Sequence, residues 1–333
     1  GYPLPMKKIR EFASEVERLF VVEELEPFYE EQILAAGIEI EGVKFFSNYL
    51  ELNVTRVRNG FIEAGALEGT PVEMEKKQIL PRPPVLCPGC PHRGLMVSLK
   101  KLKVYTTGDI GCYTLGALPP LEQIDTCLCM GASIGHAFGI EKAGKTKKKA
   151  VALLGDSTFL HSGITALAST VYNKGTTTTV IADNRITAMT GGQDHPGTSK
   201  TLMGEETYAI DMVQLCNALG VEHVRVVDPY DLEQTTTALK EEIERDATSV
   251  VITNRPCMLF PKKIKGNPYR VDLELCTACG ACFRVGCPAI SGSSEKNDKG
   301  KPKSEIDPTV CTGCTICVQV CPADAIVEIE KQE

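Results

Sequence analysis

Asp156 and Asn184 are the side chains whose placement most directly implies chemistry. Gly155-Asp156-Ser157 closes an apolar run, Ala150 to Leu154, and Asp183-Asn184-Arg185-Ile186 closes a β-branched run, Thr177 to Ala182, with a helical pattern between them. A strand, helix, strand unit of this kind sets a carboxylate and an amide at adjacent parallel strand ends, where helix N-termini and loops converge on ligands. Asp156 and Asn184 offer hard oxygen donors to one octahedral ion. The Ile186 carbonyl adds a third and leaves positions for phosphate oxygens and water. The expected chemistry is a diphosphate held through Mg2+. Gly155 would allow close approach to the phosphate, and Ser157 would donate a hydrogen bond.

A second constellation is made of cysteines. VDLELCTACGACFRVGCPAI recurs as IDPTVCTGCTICVQVCPADAI, an internal repeat in which Pro follows the last Cys of each run. The spacing matches that of bacterial two-cluster ferredoxins, in which the fourth Cys of each run serves the other cluster. One [4Fe-4S] cluster should therefore use Cys276, Cys279, Cys282 and Cys321, and the other Cys311, Cys314, Cys317 and Cys287. Four residues rather than the usual three separate Cys282 from Cys287. Zinc is the alternative ligand, but a zinc site has no need of two Cys triplets each followed by Cys-Pro.

Gly155-Asp156-Ser157, with Asn184 twenty-eight positions after Asp156, is similar to the thiamine-diphosphate motif. Asn184 to Thr198, NRITAMTGGQDHPGT, resembles the matching loop of the 2-oxoacid:ferredoxin oxidoreductases. Ser157 in place of the usual Gly, and the longer Cys282 to Cys287 interval, look like the large subunit of the indolepyruvate:ferredoxin enzymes. The resemblance covers essentially the last 250 residues. It implies thiamine-dependent oxidative decarboxylation of an aryl 2-oxoacid, electrons passing singly through iron-sulfur clusters to ferredoxin, and transfer of the acyl group to coenzyme A. It also implies a hetero-oligomer, because the carboxylate that faces the aminopyrimidine comes from a separate pyrimidine-binding domain or a small second subunit. His161, Thr190 and His195 are polar candidates near the substrate, each with an alternative reading as a capping or loop residue.

Four further cysteines could meet at one rim of the sheet: Cys87 and Cys90 in a Cys-Pro-Gly-Cys turn, Cys112 after a strand end, and Cys257 beyond another. Related pyruvate and oxoglutarate enzymes place a proximal cluster on cysteines in similar contexts, so a third [4Fe-4S] cluster is the functional reading. Buried thiols are the alternative, and that is the expectation for Cys127, Cys129 and Cys216. A rival reading of the whole chain is a non-catalytic electron-transfer subunit that merely docks the two-cluster module. The retained metal-binding residues favour catalysis.

To position these groups the sequence must supply an α/β, doubly wound parallel sheet and a small α+β ferredoxin-like module. The expected boundaries are 1–77 as the tail of a preceding α/β domain or a helical cap, 78–265 as the thiamine diphosphate domain, and 266–333 as the cluster module. Helical patterns run over Lys7 to Phe20, Phe28 to Ala36, Asp125 to Gly139, Asp211 to Leu219 and Leu232 to Arg245. Strands are expected over Lys103 to Thr107, His223 to Val227 and Ser249 to Thr253, an extended linker over Gln78 to Leu86, and a polar surface loop over Ser291 to Ser304. Gly139 to Thr146 fits the nucleotide-binding P-loop pattern letter for letter. That loop must follow a strand and open a helix, whereas here a helix enters and a strand leaves.

The 333 residues, 43% of them hydrophobic, suffice for two or three domains with full cores. A net charge of −7 makes no electrostatic case for nucleic acid. No stretch is apolar for long enough to span a bilayer, and GYPLPMKKIREF has no apolar signal core, so a cytoplasmic protein with no membrane association is expected. Fifteen cysteines then mean metal or redox work more often than disulfides.

Overall fold

The computed structural model describes residues 2–73, 80–144, 149–259 and 266–329. The chain divides into two compact units, Gly1–Arg82 and Pro83–Glu333. The expected boundaries at 77/78 and 265/266, the start of the linker at Gln78, and most of the basic turn after Gly144 lie outside the described residues.

The first unit holds α1 (Met6–Ser14), α2 (Phe28–Ala35) and α3 (Val54–Glu63). The helix expected to reach Phe20 stops at Ser14. Beyond it the chain extends so that Phe20 pairs with Glu41, Arg18 Nε lies 2.6 Å from Glu41 Oε1, and the Phe20 ring meets those of Phe46 and Phe61 at 6.2 and 5.3 Å. Tertiary packing here outweighs helical periodicity. The Asn53-Val54-Thr55 triplet begins a helix: the Asn53 side chain accepts from Arg56 N at 3.0 Å and caps α3.

In the second unit, α4 (Pro91–Leu102) leads into β1 (Tyr105–Gly108), followed by β2 (Thr126–Cys127), α5 (Ala132–Ala143) and β3 (Ala150–Gly155). After β3 comes a single turn, α6 (Asp156–Thr158), which continues through the π-helical turn Phe159–Gly163 into α7 (Ile164–Tyr172). Then follow β4 (Thr178–Asp183), α8 (Met212–Ala218), β5 (His223–Val227), α9 (Leu232–Glu244) and β6 (Ser249–Asn254). The six strands form one parallel sheet in the order β2-β1-β3-β4-β6-β5.

Alternate residues of β3 enter opposite cores. Val151 and Leu153 pack with Leu95, Leu99 and Leu239 of α4 and α9, while Ala152 and Leu154 pack with Ile134, Leu167 and Cys216 of α5, α7 and α8. The sheet is therefore doubly wound. Its strand order reverses between β1 and β3, which puts the crevice outside their carboxyl ends. Gly94 of α4 lies against the chain ahead of α9, where an added Cβ would run into the Pro229 carbonyl oxygen. Gly94→Ala should cost about 1–3 kcal/mol of overpacking, and each kcal/mol is worth about 2–4 °C of Tm at this size. Thermal denaturation of the variant checks it, and an unchanged Tm would contradict the packing.

Two sequence expectations are corrected here. The helix expected over Asp125 to Gly139 begins only at Ala132. Thr126 and Cys127 pair with Thr107 and Gly108 as a sheet edge, and Gly131 at φ 86° turns the chain before the helix. The polar stretch Ser291 to Ser304 is not a loop but the arms of a hairpin, β8 (Ile290–Lys296) and β9 (Pro302–Ile306), after β7 (Tyr269–Val271) and before β10 (Ile326–Glu328). Its turn is closed by Asn297, whose Oδ1 accepts from Lys299 N and Lys301 N, and by Gly300 at φ 73°. The P-loop reading fails as expected: α5 enters and stops at Gly144 (φ 60°), and β3 leaves.

The cysteine module packs into the α4 and α9 face of the sheet. Val285 and Ile316 are buried in the same core as Leu95, Met96 and Leu232, each contributing about 1.5–3 kcal/mol by burial. Gln319 accepts from Leu232 N at 3.0 Å and donates to the Tyr230 carbonyl at 2.7 Å. Among the described residues no helix is long and apolar enough to cross a membrane.

Candidate functional site

A cleft opens at the carboxyl ends of β1, β3 and β4. Gly155, Asp156, Ser157, Asn184, Ile186 and Thr190 all line it, as do Cys112 and Tyr113 from the loop after β1. The sequence brings them together through two Gly-Asp pairs at neighbouring strand ends, Gly108-Asp109 and Gly155-Asp156.

Asp156 is 3% exposed. Its Oδ1 accepts from Ser157 N at 2.8 Å, and its Oδ2 lies 3.1 Å from His195 Nε2. His195 Nδ1 faces Gly197 N at 3.2 Å and so accepts, which leaves the ring proton on Nε2 to donate to Asp156. Burial pushes the Asp156 carboxyl up, but hydrogen bonds, that of His195 first and then those with Asp183 and Ser157 N, help to offset it and hold the group below the usual carboxylate range. Asp183 behaves oppositely. Burial first, and then Asp156 beside it, push its carboxyl up to about 7, while it accepts from Asn254 Nδ2 at 2.6 Å.

Asn184 is oriented from three sides. Its Oδ1 accepts from Ile186 N at 3.3 Å, its Nδ2 lies 3.3 Å from His92 Nε2, and its carbonyl accepts from Cys257 N at 3.0 Å. Burial pushes His92 down to about 4, so its Nε2 is free to accept the amide proton. Gly155 has a different neighbour from the one its motif suggests: an added Cβ would come within 3.0 Å of the Tyr113 ring. Tyr113 OH donates to Asp109 Oδ1, and Asp109 Oδ2 accepts from Gly131 N at 3.0 Å and Ser133 Oγ at 2.9 Å. One fully buried carboxylate thus ties three segments around the cleft.

Of the three polar candidates, Thr190 lines the cleft and donates to Gln193 Oε1 at 2.6 Å. His195 is buried behind Asp156 and is not among the cleft-lining residues. The structure does not bring His161 to the cleft either: it lies exposed on the π-helical turn. His92, Asp109 and Tyr113 were not picked out as site residues from the sequence. The repeated Gly-Asp, and a histidine two residues after Cys90, were the available signals.

The cysteines fall into three groups. Cys276, Cys279, Cys282 and Cys321 together line one pocket, as the expected ligand set of one cluster requires. Among the described residues no three His, Cys, Asp or Glu side chains converge on a single-ion position. The expected magnesium set holds one acid, Asp156, with its other two donors an amide and a carbonyl. Burial raises the Cys317 thiol, and Cys314, Cys287 and Cys311 raise it further, which places the second expected ligand set together. The third group also converges. Burial raises Cys112, as do Cys257 and Cys87, and Cys90, pushed up to about 12 mainly by burial, feels Cys112 and Cys87. Cys216 is buried as expected, but Cys127 and Cys129 are exposed, because they stand on the short edge strand and the bend after it.

Residues 109–253 match the family described as thiamine pyrophosphate enzyme, C-terminal TPP binding domain, and residues 272–325 the 4Fe-4S dicluster domain. The chain is 37% identical to the indolepyruvate oxidoreductase subunit IorA of Pyrococcus horikoshii, over 100% of this chain and 56% of that protein. It is also 37% identical to IorA of Methanothermobacter thermautotrophicus, over 98% of this chain and 54% of that protein. Among solved structures, a 2-oxoglutarate:ferredoxin oxidoreductase from Magnetococcus marinus overlaps 55% of this chain and 67% of that chain, with a TM-score of 0.49 and 19% identity. The chain spans about half the length of the curated relatives it matches. With a thiamine pyrophosphate domain and a 4Fe-4S dicluster domain in one compact unit, and with this identity along its whole length, the chain belongs to the indolepyruvate oxidoreductase IorA family.

Proposed function

We propose that this chain is the thiamine-holding and electron-collecting part of an oxidoreductase that decarboxylates an aryl 2-oxoacid to an acyl-CoA and passes the electrons to ferredoxin. The observation that carries the reading is the shared unit: the cleft at Asp156 and Asn184 and the cysteine groups lie in one compact unit, where Tyr113 of the cleft shares a core with Cys90, Cys287 and Cys314. Bound thiamine diphosphate would supply the carbanion that attacks the 2-keto carbon.

The chain's own residues have separable tasks in this reading. Asp156, Asn184 and the Ile186 carbonyl hold Mg2+ against the diphosphate, and Ser157 lines the same corner. His195 keeps Asp156 ionised and fixed through its Nε2 proton, and His92 fixes the Asn184 amide from the other side. Thr190 stands at the cleft where substrate enters, while His161 has no part in it. Cys276, Cys279, Cys282 and Cys321 hold one [4Fe-4S] cluster, and Cys287, Cys311, Cys314 and Cys317 a second. Cys87, Cys90, Cys112 and Cys257 hold a third, beside the cleft that Cys112 lines. The carboxylate that activates the aminopyrimidine comes from a pyrimidine-binding domain on another segment or chain, completed by a small second subunit. The boundaries 78–265 and 266–333 then divide two chemistries within one compact unit.

Two measurements test the reading together. The anaerobically prepared chain should retain thiamine diphosphate in the presence of Mg2+ and lose it on chelation. With the second subunit and coenzyme A added, indolepyruvate should bleach the cluster absorbance faster than pyruvate or 2-oxoglutarate does. Failure to bind thiamine diphosphate, or bleaching by none of the three acids, would overturn it.

A further inference from the structure

Arg93 is 1% exposed and is the largest fully buried side chain among the described residues. A buried guanidinium ordinarily has a carboxylate beside it. Here every hydrogen bond goes to a main-chain carbonyl: Nη1 donates to Val285 at 2.8 Å and to Gly286, and Nη2 to Leu86 at 2.7 Å and Cys87 at 3.1 Å. Among the described residues Arg93 has no ion pair. Four carbonyl dipoles solvate the cation without neutralising it.

The acceptors come from two places. Leu86 and Cys87 open the Cys87 to Cys90 turn, and Val285 and Gly286 lead directly into Cys287. The cation stands at the joint of two cysteine groups, and it opposes the effect of burial on both the Cys90 and the Cys314 thiols. It is not among the groups that act on Cys282, in the cysteine pocket farther from the sheet. A second tie crosses the same joint: Tyr230 OH donates to the Gly89 carbonyl, and Gln319 Nε2 donates to the Tyr230 carbonyl. The first cysteine group adjoins the cleft, since Cys112 lines it and Cys257 N donates to the Asn184 carbonyl.

We propose that Arg93 is the positioning residue of an electron path, clamping the Cys87, Cys90, Cys112, Cys257 loops against the Cys287, Cys311, Cys314, Cys317 loops and placing an uncompensated positive charge between them. In each transfer one electron leaves the first cluster and arrives at the second, so one is oxidised and the other reduced by a single electron with no bond made or broken. Cluster potentials respond to net charge and burial. A buried cation at this joint stabilises the reduced state of both flanking clusters. The proposal rests on the reading that both groups hold clusters.

The test uses the anaerobically prepared holoenzyme with Arg93→Met and Arg93→Lys, reading iron content and EPR-monitored midpoint potentials. The unsubstituted protein checks the underlying reading first: about twelve irons per copy of this chain are required, whereas about eight mean that the first group is empty and that reading fails. Given twelve, Arg93→Met should shift the two flanking midpoints downward and leave that of the Cys276, Cys279, Cys282, Cys321 cluster in place. Arg93→Lys should recover most of the shift by restoring the charge. If Arg93→Met loses iron, Arg93→Lys decides alone: flanking midpoints near those of the unsubstituted protein support the proposal, and midpoints shifted downward overturn it. Unmoved midpoints in an iron-replete Arg93→Met protein, or equal shifts in all three clusters, would also overturn it.

Discussion

Asp156→Ala abolishes retention of thiamine diphosphate with magnesium and leaves the two clusters of the C-terminal module in place; that is the expected result with the largest effect on the cleft. Asp156 supplies the one acid in the expected ligand set, and its charge is maintained against burial by His195. Losing only an outer-shell partner of a metal typically weakens binding about 10–100-fold, so removing the ligand itself should take retention below detection. Asp156→Asn keeps an oxygen donor without the charge and should fall between the two. The pocket of Cys276, Cys279, Cys282 and Cys321 shares no lining residue with the cleft, so the iron of the two-cluster module should stay. Titration calorimetry with Mg2+ and thiamine diphosphate, alongside iron analysis, reads both arms. Unaltered affinity in Asp156→Ala would remove Asp156 from the ligand set, and loss of iron would show that the cleft and the clusters depend on one another.

Cys87→Ala should lower the iron of an anaerobically prepared chain from about twelve atoms to about eight, the loss of one cubane. Cys87 is the exposed member of its group, so the substitution leaves no cavity in the core. It also leaves the Cys87 carbonyl in place for Arg93. The remaining two clusters belong to cysteines that Cys87 does not join. Eight irons in both the parent and the variant would assign the four thiols a packing role and remove the third cluster.

The sequence was most legible where burial on both faces enforces a composition. β3, β4 and β6 stand within a residue or so of the apolar and β-branched runs that announce them, because a parallel strand covered on both sides admits little else. The cysteine spacing was legible for a related reason, since cluster geometry fixes ligand offsets. Polar groups that work through tertiary contacts were not. Asp109 is fully buried yet carries no periodic signature, and its meaning lies in Gly131 and Ser133, more than twenty residues on. The sequence marks His195 only as polar and close to the site. That it faces Asp156 rather than the substrate follows from the Gly197 N–H occupying its other nitrogen, which no pattern encodes. The β8 and β9 hairpin was hidden because most of its residues are at least partly exposed, so there is no alternation to read.

The apolar face shared by Leu95, Met96, Val285 and Ile316 has a consequence for traffic through the molecule. A carrier on a flexible arm collects at one station and discharges at another, and its throughput depends on the journey. Here the cysteine module is seated in the same core that supports the cleft, so there is no journey. In the proposed reading the gaps between stations would be set once, when this unit folds, and what remains adjustable would be the downhill slope from one station to the next. Flow along such a line would be governed by voltage and by whoever waits at its far end, rather than by movement of the module against the sheet.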